Sequence, residues 1–91
     1  MGFQYDRVYA AELGRHVAIR SLSAGGAVRL ARAAALPDAN ARKMALVLET
    51  IRDGSPDFAG YDNDALMDFA AKYPQLTARL FMAIRNLPTE S

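Results

Sequence analysis

The sequence predicts an all-α fold, a small bundle of three to four helices with at most one short strand near its N-terminus. Alanine, the strongest helix former, occurs 18 times, whereas the β-branched residues Val, Ile and Thr together number 10. Apolar residues also recur at helical spacing in several segments that Pro or Gly ends. With 91 residues, the chain is predicted to form a single helical domain over residues 1–91.

The N-terminal segment has a mixed pattern. Residues 1–14 are predicted to form either a loose helix or an extended or flexible arm, which Gly14 ends. In residues 15–22, Val17 and Ile19 alternate with polar and small residues, as in a half-buried strand. Because a lone strand needs a pairing partner, the N-terminal arm or a second subunit has to supply one.

Four segments are predicted to be helical, over residues 24–36, 39–53, 63–73 and 75–87. Ser23, Asp38 and Asp62 or Asn63 occupy positions where an N-cap is expected. Pro74 suits the start of the last helix, because proline is tolerated in a first turn. The helix boundaries therefore follow from capping residues and prolines.

Apolar spacing along these helices predicts the core. In the second helix the spacing is i, i+3, i+4 and i+7, which places the apolar side chains on one face. Phe58 is predicted to anchor the 54–61 loop in the same core. The helix residues predicted to be mostly buried are Met44, Val47, Leu48, Ile51, Leu66, Phe69, Leu76 and Leu80.

The composition excludes several kinds of chemistry. There is no Cys, which removes disulfides, thiolate nucleophiles and Cys-based zinc sites, and one His, His16, cannot form a His-based metal cluster. An EF-hand-like calcium loop starting at Asp53 would place Phe58 where a sharp turn needs Gly. We therefore expect a protein that is not an enzyme, with no catalytic, cofactor-binding or metal-binding residues.

The chain shows no targeting or membrane segment. Its start lacks a basic region followed by an apolar one, and its longest apolar runs are far shorter than the roughly 20 residues that span a bilayer. A cytoplasmic protein with no membrane partner is expected, in the host cytoplasm if a phage encodes it.

Charge differs between the two halves of the chain. Residues 1–52 contain eight basic and four acidic residues, whereas residues 53–91 contain three basic and six acidic ones. This split suits either head-to-tail self-association or a nucleic-acid-binding regulator. The second helix lacks a clear DNA-reading face, which makes nucleic acid the less favoured partner. The basic residues that would contact it are Arg15, Arg20, Arg29, Arg32, Arg42 and Lys43.

Several large apolar residues fall outside the predicted core stripes. Met and Phe in such positions are typical of surfaces that bind other proteins. The predicted partner-binding residues are Leu46, Met67, Phe81 and Met82.

The order of segments resembles the small tail assembly chaperones of long-tailed bacteriophages. The resemblance covers about residues 16–87 and depends on helix lengths, one turn and apolar spacing. Its segments are Val-x-Ile-Arg-x-Leu-Ser from Val17, Lys-Met-Ala-Leu-Val-Leu from Lys43, Asp-Gly-Ser-Pro-Asp-Phe from Asp53, Asp-Asn-Asp-Ala-Leu from Asp62, Pro-Gln-Leu from Pro74 and Ala-Ile-Arg-Asn-Leu from Ala83.

The resemblance implies a non-enzymatic, mostly helical protein that coats the tape measure protein until the tail tube assembles around it. It also implies that the chain self-associates or binds another protein. The same features suit a compact phage inhibitor of a host defence protein, which stays open as an alternative.

Overall fold

The computed structural model describes residues 4–88. Within them, a two-stranded antiparallel sheet lies beside four α-helices. The predicted all-α class is therefore wrong, and the fold is mixed α/β. The elements are β1 (Tyr5–Ala10), β2 (Arg15–Arg20), α1 (Ala24–Ala34), α2 (Ala39–Gly54), a short 3₁₀ turn η1 (Pro56–Phe58), α3 (Asn63–Lys72) and α4 (Pro74–Asn86).

The hairpin accounts for this correction. The strand predicted in residues 15–22 is β2, and the N-terminal arm supplies its partner strand β1, with Val8 opposite Val17. Gly14, at φ 69°, allows the turn between them, because this backbone region favours glycine. Pairing satisfies the backbone groups that the two strands turn toward each other, and both Ala10 and Ile19 are buried in the core. Residues 1–3 of the predicted arm lie outside the described part of the chain.

The segment after α2 closes the outer edge of β2. The Ala18 backbone N–H donates to Asp57 Oδ2 at 3.2 Å, and Ser55 Oγ donates to the Ala18 carbonyl at 2.7 Å. Side chains thus take the place of a third strand at this edge. The sheet is thereby held against the helices at η1.

The four predicted helices are confirmed to within two residues at each end. Their predicted caps are also observed: Ser23 Oγ accepts from the Gly26 N–H at 2.9 Å, and Asp38 Oδ2 accepts from the Ala41 N–H at 2.7 Å. At α3 the capping residue is Asp62, whose Oδ1 accepts from the Ala65 N–H at 2.8 Å. Local capping chemistry therefore sets where three of the helices begin.

The core joins the inner face of the hairpin to the helices. Of the helix residues predicted to be buried, most are: Leu48, Ile51, Leu66, Leu76 and Leu80. Val47 and Phe69 pack at its margin, and Phe58 is buried as predicted. Met44 is the exception, because 45% of its surface is exposed. Spacing shows which residues share a helix face, but it does not show how far along that face a neighbouring helix reaches.

An ion pair ties the hairpin turn to α4. Arg79 Nη2 donates to Glu12 Oε1 at 2.7 Å. This hydrogen bond is the main reason why the pKa of Glu12 lies below its ordinary value. A carboxyl group whose pKa is lowered by folding stabilises the fold above its unfolded pKa. That contribution is lost as the pH falls through the folded pKa.

We expect Arg79→Ala to raise the pKa of Glu12, as measured by NMR titration of the Glu12 carboxyl. Any stability difference between this variant and the wild type should shrink in acid, because Glu12 is then protonated in both. Arg85→Ala, on the same helix, is the control and should leave the pKa of Glu12 unchanged. An unaltered Glu12 titration in Arg79→Ala would contradict the assignment.

Candidate functional site

An apolar groove of about 750 Å³ runs between α2 and α4. It is open to solvent, and most of its lining side chains are apolar. Its lining residues are Asn40, Lys43, Met44 and Val47 from α2, Ala70 from α3, and Pro74, Thr77, Ala78, Phe81 and Met82 from α4.

Helical spacing on α4 builds one wall of the groove. Pro74, Ala78 and Met82 follow one another at intervals of four, with Phe81 beside Met82 on the same face. Thr77 donates its hydroxyl to the Tyr73 carbonyl at 2.8 Å, so the polar group in this wall is already hydrogen-bonded. The wall therefore combines small side chains, which leave space, with two large apolar ones.

A second, smaller hollow of about 400 Å³ lies between α2 and α3. Met67 lines it from α3, and Met44 lines it from α2. Because Met44 lines both hollows, they adjoin along α2. Three exposed methionines thus border one surface: Met44, Met67 and Met82.

The predicted partner-binding residues have different positions on this surface. Phe81 and Met82 line the groove, and Met67 lines the adjoining hollow. Leu46 is half-buried on α2 and lines neither of them. The structure therefore brings three of the four toward Met44, which the sequence assigned to the core. The signal that could have identified Met44 is its residue type, since exposed Met is typical of adaptable binding surfaces.

A cluster of charged residues holds the opposite end of α2. The Asp53 carboxylate is only 3% exposed and accepts hydrogen bonds from the Ser23 N–H at 2.8 Å and the Ser23 hydroxyl at 2.7 Å. Arg29 donates to it at 3.1 Å, and Arg20 lies 3.7 Å away. A Cβ on Gly26 would overlap this carboxylate, so glycine is required where α1 approaches α2. We call these residues the Asp53 cluster; its position between three elements is that of a structural link.

Ion pairs within the chain join basic residues of its first half to acidic residues of its second half. Arg20 and Arg29 from the basic half meet Asp53, and Arg15 lies 3.3 Å from Asp57. Three of the six basic residues considered for nucleic acid therefore already face carboxylates. A fourth, Arg42, donates to the Leu36 carbonyl at 3.0 Å.

His16 and the acidic residues of the 53–64 segment do not form a shared site. His16 lies apart from the acidic residues, and two of those residues bind backbone N–H groups. His16 is exposed on the outer side of the hairpin, with its ring 5.1 Å from that of Tyr9 in an edge-to-face contact. Asp57 binds the Ala18 N–H, and Asp62 caps α3. Among residues 4–88, no three His, Asp or Glu side chains gather where they could hold a metal ion.

Comparison of the chain with protein-family models, curated proteins and solved structures gave no match. No helix between residues 4 and 88 has both the length and the apolar character needed to cross a bilayer.

Proposed function

We propose that this protein is a non-enzymatic binding protein that holds an amphipathic helix of a partner protein in the groove between α2 and α4. The observation that carries the proposal is the methionine-bordered groove, with Met44 45% exposed on one wall and Met82 54% exposed on the other. In keeping with the sequence resemblance, the partner is the tape measure protein of a long-tailed phage, and the protein acts in the host cytoplasm as a tail assembly chaperone.

The chemistry of the groove supports a helical partner. An amphipathic helix binds by placing its apolar face in a hydrophobic groove between helices. Methionine side chains are flexible and polarisable, so they adapt to many apolar sequences along a long partner. That property suits a chaperone that has to cover successive stretches of one chain.

Charge distribution favours a protein partner over nucleic acid. Nucleic-acid binding needs a patch of cations free to contact phosphates. Here Arg15, Arg20 and Arg29 lie against carboxylates of the same chain. Apolar contact therefore offers more binding free energy than the remaining scattered charges.

The test is the affinity for a helical fragment of the tape measure protein encoded in the same genome. We expect Met44→Gln with Met82→Gln to weaken binding by about 10- to 100-fold, because partner contact would bury both side chains in the wild type. Val28→Gln is the matched control, since Val28 is 53% exposed on α1, outside the groove.

As a control for folding, the circular dichroism spectra of the variants should match that of the wild type. Equal binding by the double variant and the wild type would overturn the proposal. So would tight binding to duplex DNA that falls steeply with salt and does not depend on the two methionines.

A further inference from the structure

The segments of α2 and α4 that form the groove carry basic residues and no acidic ones. Residues 39–48 of α2 contain Arg42 and Lys43 and no acidic residue, and α4 contains Arg79 and Arg85 and no acidic residue. Two of these four cations are already used within the fold, Arg42 by the Leu36 carbonyl and Arg79 by Glu12. Lys43 and Arg85 are the two to consider for a partner.

Lys43 is the charged residue that lines the groove itself. It forms no ion pair with any residue from 4 to 88 and is exposed. Its ammonium group sits on a flexible stem, so it can reach an acidic side chain on a helix in the groove.

Arg85 extends the same wall by one turn. It lies four residues after Phe81 on α4, and its guanidinium is 5.5 Å from the centre of the Phe81 ring. Stacking on this ring places the cation beside a residue that lines the groove. Within the described part of the chain, no carboxylate pairs with Arg85.

Two carboxylates, Glu49 on α2 and Asp64 on α3, line the adjoining hollow and not the groove itself. Glu49 belongs to the adjoining hollow and is paired with Arg29 and Arg52. Asp64 also lies in that hollow, which adjoins the groove at Met44. Lys43 and Arg85 therefore border the apolar groove without an ion-pair partner among residues 4–88.

We infer that the helix bound in this groove carries acidic side chains beside its apolar face, which Lys43 and Arg85 recognise. The inference rests on the proposed function and specifies the chemistry of the partner. Apolar contact supplies most of the affinity, while the two charge pairs select acidic partners and set their register. An exposed pair contributes up to about fivefold in affinity, so two pairs give a measurable preference.

The experiment uses two stapled helical peptides with the same Leu and Ala face, one flanked by Glu and the other by Lys. We expect the Glu-flanked peptide to bind the wild-type protein about tenfold more tightly at low ionic strength, with a smaller difference at about 1 M salt. In Lys43→Glu with Arg85→Glu, the preference should vanish or reverse. The control variant, Arg7→Glu with Arg32→Glu, changes the net charge by the same amount at exposed positions outside the groove. It should keep the preference for the Glu-flanked peptide.

Equal binding of the two peptides, no binding of the acidic one, or a preference that survives Lys43→Glu with Arg85→Glu would overturn the inference. The methionine variant separates this failure from failure of the proposed function. If both peptides bind equally and Met44→Gln with Met82→Gln weakens both, the groove binds helices and only the charge inference fails. If the acidic preference is present but independent of Met44 and Met82, the site lies elsewhere and both fail.

Discussion

Replacing Asp53 with alanine is expected to lower the free energy of unfolding by about 3 kcal/mol. Its carboxylate is buried and accepts hydrogen bonds from the backbone and hydroxyl of Ser23 and from Arg29. Without it, the Ser23 donors lose their acceptor, and Arg20 and Arg29 each lose one carboxylate contact, although Arg29 keeps its ion pair with Glu49. The expected cost is at the lower end of the range for broken buried pairs, because Arg20 and Arg29 are partly exposed and can regain water.

Urea unfolding followed by circular dichroism measures this effect. Asp57→Ala is the matched control, since Asp57 also pairs with an arginine but is far more exposed, and its loss should cost less. Asp53→Asn keeps an acceptor for Ser23 without the charge and should fall between the wild type and Asp53→Ala. An unfolding midpoint for Asp53→Ala equal to that of the wild type would show that the Asp53 cluster does not hold α1 to α2.

Replacing Phe58 with alanine is expected to cost about 3–5 kcal/mol of stability. The Phe58 ring is fully buried and makes edge-to-face contacts with Tyr61 at 4.9 Å and Phe69 at 4.8 Å between ring centres. Its loss leaves a cavity below η1. Because Ser55 and Asp57 of this segment hold the edge of β2, the hairpin should loosen as well.

Two measurements separate these consequences. Thermal unfolding gives the global loss, and amide hydrogen exchange at Ala18 reports whether the edge of β2 opens. Phe58→Leu retains most of the apolar volume and should lower the stability clearly less than Phe58→Ala does. Tyr61→Ala removes a more exposed ring and should also lower the stability less. Wild-type stability in Phe58→Ala would show that Phe58 does not anchor the loop.

The helices were predictable because local chemistry determines them. Ser23, Asp38 and Asp62 accept hydrogen bonds from the first turns of their own helices, which requires only residues three positions away. Apolar spacing likewise identified Ile51 and Leu80 as core residues, because the side chains of one helix face share one environment. The same spacing placed Phe81 and Met82 outside the main apolar stripe of their helix, and both line the groove.

Pairing between distant segments was less predictable. The pattern in residues 15–22 indicated a strand, but residues 5–10 suited a helix or an extended arm equally. The strand state of β1 depends on hydrogen bonds to β2 across the Gly14 turn and on burial of Ala10 against the helices. Strand formation depends more on such context than helix formation does, which is why the predicted all-α class was wrong.

The helices, their caps and most of the core follow from the amino-acid sequence, since all of these depend on residues close together in the chain. By contrast, the exposure of Met44 to the groove and the burial of Asp53 among Ser23, Arg20 and Arg29 result from packing between distant segments. Both outcomes depend on how far one helix covers another and on which charges meet across 24 or more positions of the chain. Such contacts arise from packing in three dimensions, which periodicity along the chain does not encode.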